Sequence, residues 1–329
     1  MRRGARGWLW GILLPGLMSC AGPQSALSPA GRDAERIATL FFWMAGGAVV
    51  IWLGVMGSAI WTVVRPERAH SKRTADLFIV GGGVALPTVT LTVLVFYGLR
   101  MMPGLLHPGP DLEPRIAVSA EQFWWRVTYR VDGAEPVELA NEIHVPIDRR
   151  TSFALTSPDV IHSFWVPSLA GKVDAIPGRE THLAFEPTRA GVFRGACAEY
   201  CGVSHAWMSF HVVVSSREDH EAWLRRQAEP AQPPEGPLET RGAELFQSSG
   251  CGACHTVRGT PADGVIGPDL THVGSRQSLA AGALDNDVDG FERWLTATDD
   301  VKPGVHMPAY DALVADDAHA LAAYLEGLQ

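Results

Sequence analysis

The chain has 329 residues, room for two or three domains, and its 47% apolar content is spread very unevenly. Its 36 acidic residues outnumber 27 basic ones, a net charge of −9 whose sign argues against nucleic-acid binding. The five cysteines fall in three places, Cys20, the pair Cys197 and Cys201, and the pair Cys251 and Cys254, so none is left over for a disulfide framework.

Residues 1–20 read as a secretory signal, with Arg2, Arg3 and Arg6, an apolar run and then small residues. The run ends in Leu17-Met18-Ser19-Cys20, which resembles a bacterial lipobox and makes Cys20 the expected lipidation site. Two uncharged stretches follow, Ile37 to Val64 and Leu77 to Leu99, each longer than the roughly 20 residues that cross a bilayer core as a helix. Residues 37–101 therefore predict a transmembrane helical hairpin. Arg65, Arg68, Lys72 and Arg73 in its turn put that turn in the cytoplasm and the rest of the chain outside. Pro87, after Gly81-Gly82-Gly83, is expected to interrupt the second helix and let a neighbouring helix pack closely.

Residues 114–216 read as β-strands: IAVSAEQFWWRVTYRV, THLAFEPT, GVFRGACAEY and MSFHVVV are β-branched and aromatic runs bounded by Pro, Gly and Asp, the mark of a sandwich. Within them CAEYCGVSHAWM sets Cys197, Cys201, His205 and Met208 on one short loop. Soft sulfur donors beside imidazole select copper over magnesium, calcium or manganese. Two sulfurs so close could bridge two ions, which points to a dinuclear copper centre that moves electrons. A Cys197–Cys201 disulfide and a zinc site are the alternatives, although zinc sites seldom use Met. His162, in SPDVIHSFWVP, supplies the missing second imidazole.

Residues 217–238 hold a short amphipathic stretch and then AEPAQPPEGPLE, a Pro-rich polar linker. The last segment, 239–329, contains Cys251-Gly252-Ala253-Cys254-His255, the attachment signature of a c-type haem, with a thioredoxin-like pair as the alternative. The two thiols would bond the haem edge and His255 would supply an axial nitrogen. Met307, the only methionine after Met208, is the expected sixth ligand over His272 and His306. Leu321, Tyr324, Leu325 and Leu328 recur at helical spacing, a packing helix. Charge follows the segments: 1–113 hold ten basic and six acidic residues, 114–238 twelve and sixteen, 239–329 five and fourteen. The acidic last segment would attract a basic electron donor.

The copper loop, DVIHSFWVP and KVDAIPGR together resemble subunit II of haem–copper cytochrome c oxidases, over nearly the whole chain. The segment with RGAELFQSSGCGACH, GPDL and KPGVHMPAY resembles a small class I cytochrome c, so the whole resembles the fused, caa type. The implied fold is multidomain: a two-helix transmembrane hairpin, an all-β cupredoxin-like sandwich and a small all-α cytochrome c domain. The resemblance implies that His162 and His205 each bind one copper of the CuA pair and that Cys197 and Cys201 bridge both. It makes Met208 and the Glu199 carbonyl weak ligands, and gives the Glu199 carboxylate a magnesium ion at the border with subunit I. In the family this segment reads QWYW, and its first Trp admits electrons. Here Phe123 follows Gln122, so Phe123, Trp124 and Trp125 are the candidates. An acidic residue near Asp76 serves a proton channel in the family; here Asp76 is read as a solvated helix-end charge.

The implied function is electron relay from haem c through CuA to a haem in subunit I, where oxygen is reduced to water and protons are pumped. No residue of this chain is expected to be catalytic, because its membrane helices carry no haem-binding His pair. Implied partners are subunit I, subunit III, membrane lipid, and a soluble cytochrome c or upstream respiratory complex as donor, at the bacterial inner membrane with both domains outside. A CuA-carrying small subunit of a nitric oxide reductase is the alternative.

Overall fold

A computed structural model describes residues 22–65, 71–106, 116–131, 133 and 135–329. The expectations for the signal segment and Cys20 lie outside the described residues. Helix α1 spans Arg32–Val64, starting ahead of the apolar run because its first turn docks on the sandwich. Asp33 there is fully buried and accepts from Arg150 Nη1 at 3.0 Å, and the Ala34 amide donates to the Leu169 carbonyl. Gly31 precedes it, where a Cβ would lie 2.5 Å from the Leu169 carbonyl oxygen. Beyond Ala38 no side chain of α1 is buried, as suits a helix in lipid.

The second membrane helix is continuous: α2 (Lys72–Asp76), a wider π-helical stretch Leu77–Ala85, and α3 (Leu86–Leu106). Ser71 caps its start by accepting from the Thr74 amide. Pro87 does not interrupt it. In the π stretch the Leu86 amide reaches back five residues to the Gly81 carbonyl, so the wider turn absorbs the site where proline lacks a donor and crowds the preceding turn.

Among the described residues, ten strands form two five-stranded sheets. One has the order β3 (Val137–Ala140), β2 (Trp124–Tyr129), β1 (Ile116–Glu121), β5 (Thr151–Thr156), β8 (Thr181–Phe185). The other runs β4 (Glu142–Pro146), β10 (Ser209–Ser215), β9 (Gly191–Cys197), β6 (His162–Trp165), β7 (Lys172–Ala175). The run read as one strand across 116–131 folds back at Gln122–Phe123, pairing Glu121 with Trp124. Alternate residues then separate by face: Trp125, Val127 and Tyr129 point into the core, while Trp124 and Arg126 lie outside with the guanidinium 4.6 Å over the indole. Trp125 centres the core, edge-on to Phe164 and tilted against Phe210.

Helix α4 (Arg217–Ala228), capped by Ser216, packs on the sandwich through Trp223, which stacks 3.7 Å over the His144 ring. The extended part of the linker is thereby reduced to residues 229–235. Helices α5 (Gly236–Ser248), α6 (Val288–Thr296), α7 (Thr298–Val301) and α8 (Ala315–Gly327) build the last domain. Its core holds Phe246, Phe291, Leu295 and the predicted Leu321, Tyr324, Leu325 and Leu328. Helices α5 and α8 meet at Gly242, where a Cβ would sit against the Ala320 carbonyl and 2.6 Å from Tyr324 Cβ.

This domain rests on the copper-loop end and one flank of the sandwich. Arg126 Nη2 donates to the Ile266 carbonyl at 3.0 Å, the Ser209 amide to the Ala281 carbonyl at 3.0 Å, and the Gln277 amide to Glu142 Oε2 at 2.6 Å. The linker is strapped to the same domain by the Ala231 amide on the Arg258 carbonyl.

Candidate metal and haem sites

Three loops at one end of the sandwich converge: the β1–β2 turn, the loop entering β6, and the β9–β10 loop. Cys197 ends β9, pinned by its amide on the Met208 carbonyl, and His162 opens β6 beside it. The Cys197 and Cys201 sulfurs are 3.9 Å apart. That is far beyond the roughly 2.05 Å of a disulfide bond, so the disulfide alternative is absent here and both thiols are free. His162 Nδ1 lies 3.8 Å from Cys197 Sγ, His205 Nδ1 3.5 Å from Cys201 Sγ, and Met208 Sδ 3.8 Å from Cys201 Sγ. The Glu199 carbonyl oxygen is 3.2 Å from Cys197 Sγ. All six donors named from sequence therefore meet at one place, and His162, Cys197, Cys201 and Met208 are buried there.

The donor set fits a dinuclear soft-metal centre. A thiolate–metal bond is about 2.3 Å, as for zinc, so sulfurs 3.9 Å apart can both touch each of two ions. One imidazole then stands at each sulfur. Asp159 Oδ1, 2.9 Å from His162 Nε2, takes that nitrogen's proton in a hydrogen bond and leaves Nδ1 as the free donor. The Cys197 thiol is held far below the ordinary thiol range, chiefly by hydrogen bonding with Cys201 and then with His162, while Cys201 is pushed up by the same sharing. The shared proton thus favours the thiolate form at Cys197, the form that binds a metal.

Asp159 was not singled out in the sequence, although it stands three residues before His162 in the quoted DVIH. Gln122 is a second such residue, its side-chain amide donating to the Cys201 carbonyl. The Glu199 carboxylate is half exposed and 3.9 Å from Lys172 Nζ.

In the last domain Cys251 is buried and Cys254 exposed, on and just after a single 3-10 turn, with His255 following. His255 Nδ1 donates to the Pro268 carbonyl at 2.8 Å, so Nε2 is its free nitrogen, the state an axial ligand needs. Burial pushes its pKa down, which keeps it neutral. Of the competitors for the sixth position, His272 has both nitrogens on backbone carbonyls, of Gln329 and Glu229. His306 is exposed, whereas Met307 packs against the apolar core of the domain. The residues present fit a covalently held haem.

The loop that leads to Met307 meets the copper loop across a seam made by Phe123. A Cβ at Gly202 would lie 3.0 Å from the Phe123 ring, and one at Gly304 would lie 3.7 Å from the ring and 2.9 Å from Val203. Ser204 donates to the Pro303 carbonyl at 2.6 Å. Lys302, only 2% exposed, donates from Nζ to the carbonyls of Phe123 at 2.6 Å and Ala280 at 3.0 Å. Burial pushes its pKa down to about 7. Sequence reasoning passed over Lys302; its one signal was a lysine in KPGVHM, among only five basic residues of an acidic domain.

The family described as cytochrome c oxidase subunit II, periplasmic domain, matches residues 122–216, and cytochrome c matches 239–329. Cytochrome c oxidase subunit 2 of Alkalihalophilus pseudofirmus is 34% identical, covering 95% of this chain and 94% of that protein. The protein of the same name from Bacillus subtilis is 30% identical and covers 96% of each. The solved periplasmic domain of subunit II of cytochrome oxidase from Bradyrhizobium japonicum is 29% identical, covering 36% of this chain and 95% of that one at a TM-score of 0.33. With these domains following two apolar helices, the protein lies in the inner membrane with both globular domains on the extracytoplasmic side. The chain belongs to the cytochrome c oxidase subunit II family, in a form that carries its own cytochrome c domain.

Proposed function

We propose that this chain relays electrons within a cytochrome c oxidase, from a haem c in its last domain, through a dinuclear copper centre in its sandwich, to subunit I, where oxygen is reduced to water and protons are pumped. The observation that carries this is the meeting of two thiols and two imidazoles with sulfurs 3.9 Å apart. His162, His205, Cys197 and Cys201 would hold the copper pair, with Met208 and the Glu199 carbonyl as weak ligands. Cys251 and Cys254 would hold the haem, with His255 and Met307 on its iron. Bound there, the two groups supply one-electron chemistry with no protein group changing its bonds.

The chain's own residues keep reorganisation small. Asp159 and the Pro268 carbonyl each fix a ligand imidazole through its other nitrogen, and the sandwich core behind Trp125 holds the copper loop. Phe123, shared between the two loops, is the favoured path between domains over Trp124, which lies outside, and Trp125, which is core. The exposed apolar Val160, Ile161, Tyr200, Val203 and Trp207 around the copper loop suit burial against subunit I. At that border Glu199 would exchange Lys172 for magnesium. Subunit III and a soluble cytochrome c or upstream respiratory complex complete the proposed assembly. The nitric oxide reductase alternative has no observation in its favour, since relatives along the whole chain carry the oxidase name.

The test is spectroscopic. The copper-loaded protein should show a c-type haem spectrum together with the EPR signal of a mixed-valence dinuclear copper centre. A mononuclear copper signal, or none after reconstitution, overturns the reading.

A further inference from the structure

At the end of the sandwich where α4 packs, an open cleft of about 340 Å³ lies between the start of β1, the end of β2, the β4–β5 turn and α4. Its wall is strongly basic. Arg130, Arg149, Arg150 and Arg217 line it with His220, against the single acid Glu221. Three of these guanidinium groups, on Arg130, Arg149 and Arg217, make no ion pair or hydrogen bond among the described residues, though acids are plentiful elsewhere in the sandwich. Ser152 also lines the cleft. It is only 3% exposed, and its hydroxyl has no hydrogen-bond partner among the described residues. A buried hydroxyl without a partner is costly unless a ligand completes it.

The position of the cleft says which ligand. Arg150, in its wall, donates to Asp33 in the first turn of α1 and to the Gly104 carbonyl near the end of α3. The uncharged runs of these helices start at Ile37 and stop at Leu99. At 1.5 Å per residue, Asp33 and Gly104 stand roughly 6–8 Å outside the apolar slab. The headgroup layer on each side of a bilayer is roughly 5–8 Å thick, half the difference between the full thickness and the hydrocarbon core. Arg150 therefore sits at the level of lipid phosphates, and Arg130, Arg149 and Arg217 open beside it.

We propose that this cleft holds the phosphate of an anionic phospholipid headgroup. Guanidinium groups match phosphate oxygens in two-pronged pairs, the Ser152 hydroxyl donates the hydrogen bond it otherwise lacks, and the cleft is in the size range of small-ligand sites. A bound lipid would tie the sandwich to the membrane surface on the flank away from the copper loop. Free phosphate offers the same chemistry without the acyl chains.

The experiment uses the full chain extracted in mild detergent from phosphatidylcholine nanodiscs doped with phosphatidylglycerol, with retained lipids counted by native mass spectrometry. The wild type should keep one phosphatidylglycerol, and the Arg149→Gln, Arg217→Gln double variant should bind it at least tenfold more weakly. Ser152→Ala should weaken it less. Haem absorbance and the thermal midpoint, expected unchanged, show that the variants are folded. Equal retention by wild type and double variant overturns the proposal. So does complete displacement of the lipid by millimolar inorganic phosphate, which would make this a free-phosphate site, and so does equal retention of phosphatidylcholine, which would remove the charge argument.

Discussion

An imidazole that is to bind a metal through Nδ1 needs something to hold its other nitrogen, and at His162 that is Asp159 Oδ1, 2.9 Å away. The same carboxylate accepts the Gln122 amide at 2.7 Å, so it also fixes the β1–β2 turn beneath the copper loop. Asp159→Ala should lower copper affinity about 10–100-fold, read by titration against a competing chelator; unchanged affinity would show that the ring is held by packing alone. Lys302 poses the opposite balance, because burial disfavours its charge while two carbonyls need its protons. Methionine matches the stem but leaves both carbonyls unpaired in a closed seam, at about 1–3 kcal/mol each. Relief of the buried ammonium offsets part of that. Lys302→Met should therefore weaken docking and slow haem-to-copper electron transfer about tenfold in stopped-flow, with haem and copper spectra intact. A rate unchanged by the substitution would mean that the other cross-domain hydrogen bonds suffice.

Among the elements, those with a clear period were legible and those shaped by their neighbours were not. The alternation of β2 and the helical spacing of Leu321, Tyr324, Leu325 and Leu328 report one buried face, and the structure buries those faces. The turn at Gln122–Phe123 was invisible, since neither Gly nor Pro marks it and the aromatic run continues through it. Helix α4 was underestimated because what holds it is Trp223 on His144, a contact between distant segments. At the α5–α8 crossing, Gly242→Ala would gain about 1 kcal/mol of helix propensity. The added methyl, however, meets backbone at Ala320 that cannot step aside, and overpacking typically costs 1–3 kcal/mol or more. The haem domain should melt at lower temperature, followed by circular dichroism. Acid sensitivity belongs to the β4–α4 layer. His220 is held below its ordinary pKa by burial, with His144 and Arg149 adding repulsion, and His211 likewise by burial and Arg194. The unfolded chain then takes up a proton near pH 6.5 that the folded one refuses until lower pH, so stability falls as pH drops below about 6.5. Each histidine contributes at most about 1.4 kcal/mol per pH unit. Urea midpoints between pH 7 and 5 should decline, and His220→Gln should flatten the decline; an unaltered slope would place the proton elsewhere.

For the whole molecule, the sequence named the proposed donors of both sites and their order along the chain, because ligand chemistry demands particular residue types at short spacings. It did not say that the loop leading to Met307 meets the copper loop at a seam, because that depends on surface loops 302–304 and 201–204 matching in shape. Charge behaves in the same way. Few of the five basic residues in 239–329 stand free against its fourteen acidic ones. Lys302 is buried in the seam, Arg258 is paired with Asp269, Arg276 donates to the Asp269 carbonyl, and Arg241 is paired with Asp317. Only Arg293 lacks an acidic or carbonyl partner among the described residues, so the field outside the domain is that of its carboxylates. A basic donor would feel that field beyond contact at low salt, where the screening length is about 30 Å at 0.01 M, and little of it at 0.15 M, where it is about 8 Å. Steering of this kind raises association rates by about 10–1000-fold. The second-order rate of haem reduction by a basic cytochrome should therefore fall at least about tenfold between those salt concentrations. With an acidic cytochrome of similar potential the same change should raise it. Equal, flat dependences for both donors would mean that the acidic surface only keeps the domain soluble and that donors find the haem by contact alone.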